Sequence, residues 1–191
     1  MTIRWVTAFL DLPASTLDSG TRFWSEVTAT RPSPVRGDHD EFRTLVPGDG
    51  DACFRIQSVD DGPGGVHLDL HVDDVDELAT AAVELGAEIV ARPGHIILRS
   101  PGGLPFCAVL YHGEHRPPAP VHLGDGTTSR LDQVSIDVPA ERFEEECAFW
   151  AALTGWALRS SRLSEFAALV RPDGIAWRVL LQRLGDDDPG A

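Results

Sequence analysis

Between Arg4 and Leu12 the chain alternates with the period of a strand. Trp5, Thr7 and Phe9 fall on one face and Val6, Ala8 and Leu10 on the other, because successive side chains leave a pleated backbone on opposite sides. The period then lengthens: Leu17, Phe23, Trp24 and Val27 form a helical stripe suited to covering the second of those faces. Two short strands follow, Phe42 to Val46 and Cys53 to Gln57, separated by the turn composition Pro47-Gly48-Asp49-Gly50. A further short strand is expected near Thr28 to Pro34, which makes the unit β-α-β-β with one strand added.

The same plan starts again at Val66. In His67-Leu68-Asp69-Leu70-His71-Val72 the apolar members share one face and His67, Asp69 and His71 the other. Asp74 is placed to cap the next helix, with Glu77 three residues on. Val75, Leu78, Ala79, Ala82 and Leu85 form its buried stripe, and Gly86 ends it. Ile96 to Leu98 and Phe106 to Leu110 then flank Pro101-Gly102-Gly103 as a hairpin.

A third copy follows a stretch rich in Pro, Gly and His. Arg4, Asp11, Pro13, Ala14, Phe23 and Trp24 recur 126 positions later as Arg130, Asp137, Pro139, Ala140, Phe149 and Trp150. Glu41-Phe42 and Leu45-Val46 return as Glu165-Phe166 and Leu169-Val170. A unit that cannot cover its own apolar surface needs a neighbour, so the repeat decides the architecture. The expected organisation is a complete two-module domain over 1–113 (modules 1–64 and 65–113), a linker over 114–128, a third module or half domain over 129–184 and an acidic tail over 185–191. The fold class is α+β: tandem βαβββ modules forming curled mixed sheets, with helices on the outer face.

Composition narrows the function. The net charge of -14 repels phosphate backbones, and no basic stripe offsets it, so nucleic acid is not an expected partner. No apolar run approaches the roughly 20 residues of a membrane span, and the opening segment has neither a basic leader nor a cleavage site, so the reading is soluble and cytoplasmic with no membrane partner. Cys53, Cys107 and Cys147 are widely spaced in apolar sequence and read as buried, reduced thiols rather than a zinc set.

A strand ending in Asp-x-Pro, a helix carrying Phe-Trp, a hairpin ending in Gln, then HLDLHVDDVDEL, ELGAEI and SPGGLPFCAVL, in that order, resembles the glyoxalase/bleomycin-resistance/dioxygenase superfamily, the vicinal oxygen chelate proteins. The resemblance is nearest to the metal-poor glyoxalase-like branch common in actinomycetes. It implies paired modules whose sheets curl into a cup with the ligand inside. It also implies that metal ligands, where present, come from the first and last strands of each module. Those positions map to Thr7 and Phe54, to His67 and Cys107 and, in the third module, to Gln133 and Val179. A hard divalent ion would want several His, Glu or Gln donors, so no metal and no other cofactor are expected.

The candidate ligand-binding residues are Thr7, Phe9, Phe54, His67, Asp69 and Cys107. His67 is the one candidate for catalysis, either as a base or donor or as a histidine that only orients a ligand. Cys107 is weighed as a nucleophile against a buried, inert thiol. Asp69 and His71 could form a local ion pair near the rim, His112 and His115 read as linker residues, and Glu144-Glu145-Glu146 reads at least in part as a solvated face. Trp5, Phe9 and Phe54 would give the cup an apolar lining suited to an aromatic or drug-sized molecule.

The leading expectation is a metal-free protein that binds a small organic ligand, of the sequestration type. The alternatives are a divalent-metal lyase, isomerase or dioxygenase that recruits Asp69 or Gln133, and a non-catalytic interaction module. The odd module count adds an expectation of its own. The third module should meet another, in a homodimer or in a continuation of the polypeptide.

Overall fold

The computed structural model describes residues 1–60 and 62–185. The first module comprises β1 (Trp5–Pro13), α1 (Leu17–Val27), β2 (Arg31–Pro32), β3 (Phe42–Val46) and β4 (Phe54–Val59). The second comprises β5 (Gly65–Val72), α2 (Val75–Glu84), β6 (Glu88–Ala91), β7 (Ile96–Arg99) and β8 (Pro105–Leu110). A short ribbon, β9 (Val121–His122) with β10 (Thr128–Ser129), lies in the segment read as a linker. The third module comprises β11 (Gln133–Val138), α3 (Phe143–Thr154), β12 (Ala157–Ser160), β13 (Phe166–Val170) and β14 (Arg178–Arg183). This is the expected α+β fold of repeated βαβββ modules. The expected acidic tail lies, from residue 186 on, outside the described residues.

The first two modules share one eight-stranded mixed sheet in the order β2-β3-β4-β1-β5-β8-β7-β6. Its seam is the antiparallel pairing of β1 with β5, the first strands of the two modules, which sets Thr7 opposite Asp69 and Phe9 opposite His67. Local sequence builds these elements. Asp74 Oδ1 accepts from the backbone N–H groups of Asp76 and Glu77 and so caps α2, and Gly155, with φ 69°, ends α3 in the left-handed conformation. The third module forms a separate sheet, β11-β14-β13-β12, in which β11 and β14 run parallel as β1 and β4 do.

The third module packs on the helix-bearing back of the large sheet, not on its concave side. The core is continuous between them, running from Val6, Leu68 and Phe106 to Ile136, Trp150 and Trp177. The Phe106 ring meets Phe149 and Trp150 at centroid distances of 5.9 and 5.2 Å. Trp177 Nε1 donates to the Cys53 carbonyl at 2.8 Å. Such aromatic pairs add about 0.5–1.5 kcal/mol each beyond their area burial.

Glu146, grouped by sequence with a solvated acidic run, is fully buried at this junction. Its carboxylate accepts from the Ser100 hydroxyl at 2.5 Å, the Trp150 indole at 2.7 Å and the Gly102 backbone N–H. A Cβ on Gly102 would lie 2.7 Å from that carboxylate, so the close approach requires glycine there. Glu144 and Glu145 do face solvent.

The stripe on α1 does not cover the sheet as expected. Thr21 is the buried residue of this helix, whereas Phe23 is 55% exposed and Val27 46% exposed. Much of the first module's back is taken by the third module instead, through Phe54 against Trp177.

Candidate functional site

Register fixes which side chains face the concavity. Paired residues on adjacent strands point the same way, so one transverse row runs Arg55–Phe9–His67 across β4, β1 and β5. The next row runs Thr7–Asp69–Cys107–Ile97 across β1, β5, β8 and β7. Apart from Thr7, these rows form the floor of a cavity of about 810 Å³, whose walls include Phe42, Val109 and Leu110.

Phe9, His67, Asp69 and Cys107 therefore meet in one cavity. Thr7 lies on the same face but is fully buried, its hydroxyl held by His71 Nε2 at 2.9 Å. Phe54 is on the opposite face. It pairs with Ala8, and its ring packs against Trp24 and Trp177 at 5.4 and 5.9 Å. Assigning Phe54 to the cup misplaces β4 by one residue, and such a slip exchanges every side chain between faces. The side chain that enters the cup is Arg55. Trp5 also fails to line the cavity and is buried completely in the core. Gln133 stands on β11 in the other sheet, so the structure does not bring it to His67.

His67 is held on two sides. Its ring stacks on Phe9 at 4.5 Å with an interplanar angle of 13°, and its Nδ1–H donates to Asp11 Oδ2 at 2.8 Å. A carboxylate on Nδ1 leaves Nε2 as the free nitrogen, and this atom lies 4.0 Å from Asp69 Oδ1. Asp69 is buried rather than placed at the rim. Burial pushes its carboxyl pKa up, against the opposing pull of His67, Arg55 and the Cys107 thiol that donates to it.

The Cys107 thiol is pushed well above its ordinary range by burial first and the nearby Asp69 charge second. It remains a protonated donor, which removes the basis for nucleophilic attack. Burial likewise lowers His71 to about 4, so this imidazole is neutral beside Thr7 near pH 7. His112, read from sequence as a linker residue, lines the cavity, whereas His115 is exposed and its Nδ1–H donates to the Gly113 carbonyl at 2.9 Å.

Arg55 and Arg36 line the cavity without having been singled out by sequence. The alternation Phe54-Arg55-Ile56-Gln57 carried the signal for Arg55, since Phe54 and Ile56 are the apolar pair that should face the core. Ile56 is indeed fully buried.

Two βαβββ modules joined through their first strands, with a furnished concave face, define the paired-module cup architecture. A family model described as a glyoxalase-like domain matches residues 7–109, and the chain belongs to this family. No curated protein sequence matches the chain.

Among solved structures, a mutant 4-hydroxymandelate synthase from Streptomyces coelicolor is 20% identical, with a TM-score of 0.61 over 95% of this chain and 62% of that one. The Mn(II)-bound glyoxalase from Novosphingobium aromaticivorans is 16% identical, with a TM-score of 0.58 over 96% and 62%. The 2,3-dioxygenase LapB from Pseudomonas sp. KL28 is 14% identical, with a TM-score of 0.62 over 93% and 69%. At these identities the likeness shows the fold alone. The chain spans 62% of the length of the first of them.

The side chains present do not suit a hard divalent ion. His67, Asp69 and Cys107 offer one nitrogen, one oxygen and one sulfur within 4.8 Å of one another, where manganese or magnesium would want several oxygens. The row beside them carries the Arg55 guanidinium, whose fixed positive charge opposes a cation in the same cup.

Proposed function

We propose that the two-module cup binds a small organic molecule without a metal and acts by sequestering it, the mode of the bleomycin-resistance relatives that the sequence resembles. The observation that carries this reading is the cavity itself. About 810 Å³ is lined by the apolar Phe9, Phe42, Ile97 and Val109 together with a larger set of polar and charged side chains, among them Arg55, His67, Asp69 and His112, and this volume suits a small molecule. His67 positions the ligand. With Nδ1 committed to Asp11, its Nε2 is the atom that would accept from, or in the other tautomer donate to, a polar group of the guest.

The same reading makes the chain a homodimer through the third module. β11 is the edge strand of its sheet, while its counterpart β1 has that position filled by β5. The strand edge offers unpaired N–H and C=O groups, and a second copy's β11 could pair there symmetrically. Among the described residues no helix is long and apolar enough to cross a membrane. Three buried free cysteines suit a reducing, cytoplasmic setting.

Elemental analysis and native mass spectrometry of the mildly purified chain test the proposal together. The expected result is no stoichiometric metal and a retained small organic compound. About one zinc, nickel, manganese or iron per chain, lost in His67→Ala, would overturn it in favour of a metal-dependent lyase, isomerase or dioxygenase.

A further inference from the structure

Arg55 is a cation without an ion-pair partner among the described residues of the cup. Its guanidinium lies over the Phe9 ring, 5.6 Å from the ring centroid. Its Nε is buried with no hydrogen-bond acceptor. Among the described residues it takes part in no ion pair, unlike Arg43 on the neighbouring strand, which reaches Asp18 at 3.3 Å. Leaving the buried Nε of a partly exposed guanidinium without an acceptor is costly unless something supplies one.

A second arginine points to the same place. Arg36 Nη2 donates to Thr44 Oγ1 at 2.6 Å, and Thr44 is the cross-strand partner of Arg55. Both arginines line the cavity, and Arg36 likewise takes part in none of the ion pairs among the described residues. Two like charges brought to one corner repel each other, and an anion between them would reverse the sign of the interaction.

Asp11 accepts from His67 and Glu41 accepts from the His39 backbone N–H. Asp69 attracts Arg55 electrostatically but forms no ion pair with it. Asp38 is exposed. None closes on either arginine within ion-pair distance.

Beside the arginines stands an aromatic corner. Phe9 meets Phe42 edge-on at 6.2 Å and stacks with His67 at 4.5 Å. We infer that the cup selects a planar, apolar carboxylate, with its carboxylate between Arg55 and Arg36 and its body against Phe9 and Phe42. The guanidinium fork matches a carboxylate's two oxygens, and the aromatic corner favours a flat body over a bare anion. This inference rests on the proposed ligand-binding cup and specifies its ligand class.

Calorimetric titration of the full chain with benzoate, phenylacetate and naphthoate, each against its neutral amide and against inorganic phosphate, tests it. At least one carboxylate should bind about tenfold tighter than its amide, and phosphate should compete weakly. Arg55→Met, which keeps the side chain's bulk, should bring carboxylate affinity down to that of the amide while amide binding persists. Arg36→Met should lose part of the preference. Retained amide binding shows that Arg55→Met is folded, and Arg55→Lys should recover some preference through charge alone.

Carboxylate and amide binding equally to the unaltered chain would overturn the anion inference and leave the cup standing. Phosphate matching the best carboxylate would overturn the role of the aromatic corner. No binding of any probe would count against the ligand-binding cup itself.

Discussion

The dipeptide Phe-Trp occurs twice at equivalent places, and its two copies lead opposite lives. Phe149 and Trp150 on α3 are 2% and 1% exposed, pressed against Phe106. Phe23 on α1 is 55% exposed and Trp24 is half-buried. The helices come from the same repeat, so the difference is not in local propensity. α3 is enclosed between its own sheet and the second module, with α2 alongside, while α1 has no such neighbour among the described residues. A repeat specifies an element, and its neighbours decide what the element is worth.

The concave faces differ in the same way. Phe9 and its partner Arg55 in the first module correspond to Ser135 and Leu180 in the third. On the back, Ala8 and its equivalent Val134 are both apolar and buried. Core packing constrains one face of the module and leaves the other free to differ.

Truncating the paired tryptophans gives the largest expected effect. Trp150→Ala should cost about 3–5 kcal/mol, the range for deleting a large buried aromatic, and Trp24→Ala less than half as much. Urea unfolding midpoints at unchanged slope measure both. Equal losses would erase the contrast between α1 and α3.

Glu146→Ala should come next, at about 3 kcal/mol, because it strands the Ser100 hydroxyl, the Gly102 N–H and the Trp150 indole in a buried place. Glu144→Ala, on the exposed side of the same run, should stay within about 0.5 kcal/mol. If Glu146→Ala were as mild as Glu144→Ala in the same unfolding assay, the junction between modules would not depend on this carboxylate.

A pH titration of stability sharpens the picture of the cup. Burial lowers His71 from 6.5 to about 4, so between those values the unfolded chain binds a proton that the folded chain does not. Stability contributed by this group is therefore complete above pH 6.5 and is lost as pH falls towards 4, by on the order of 3 kcal/mol. His71→Gln should flatten the difference between unfolding free energies at the two ends of that window. An unchanged slope in the variant would assign the pH dependence to other groups.

The smallest effect is expected at Phe23→Ser, within about 0.5 kcal/mol, since an exposed ring loses little contact. A destabilisation as large as that of Phe149→Ser in thermal unfolding would mean that α1 is covered in solution.

Periodicity carried much of this fold. The strand and helix of each module, the Asp74 cap and the Pro101-Gly102-Gly103 hairpin were legible because each depends on residues close in sequence. His67, Asp69 and Cys107 could be placed together because alternation and the resemblance agreed on their parity. Phe54 and Arg55 show where that method stopped. Parity within β4 is visible, but which parity faces the cup depends on pairing with β1, some 46 residues away in sequence.

What the sequence determined by itself was therefore the inventory of modules and their apolar backs, since 2- and 3.6-residue periods are local properties of the backbone. Only the tertiary structure decided that the third module packs on the back of the first domain, that Glu146 is buried while Glu144 is not, and that Arg55 and Arg36 share a corner of the cavity. Each of these depends on which surfaces meet. Contacts between residues tens of positions apart leave no period in the chain that could announce them.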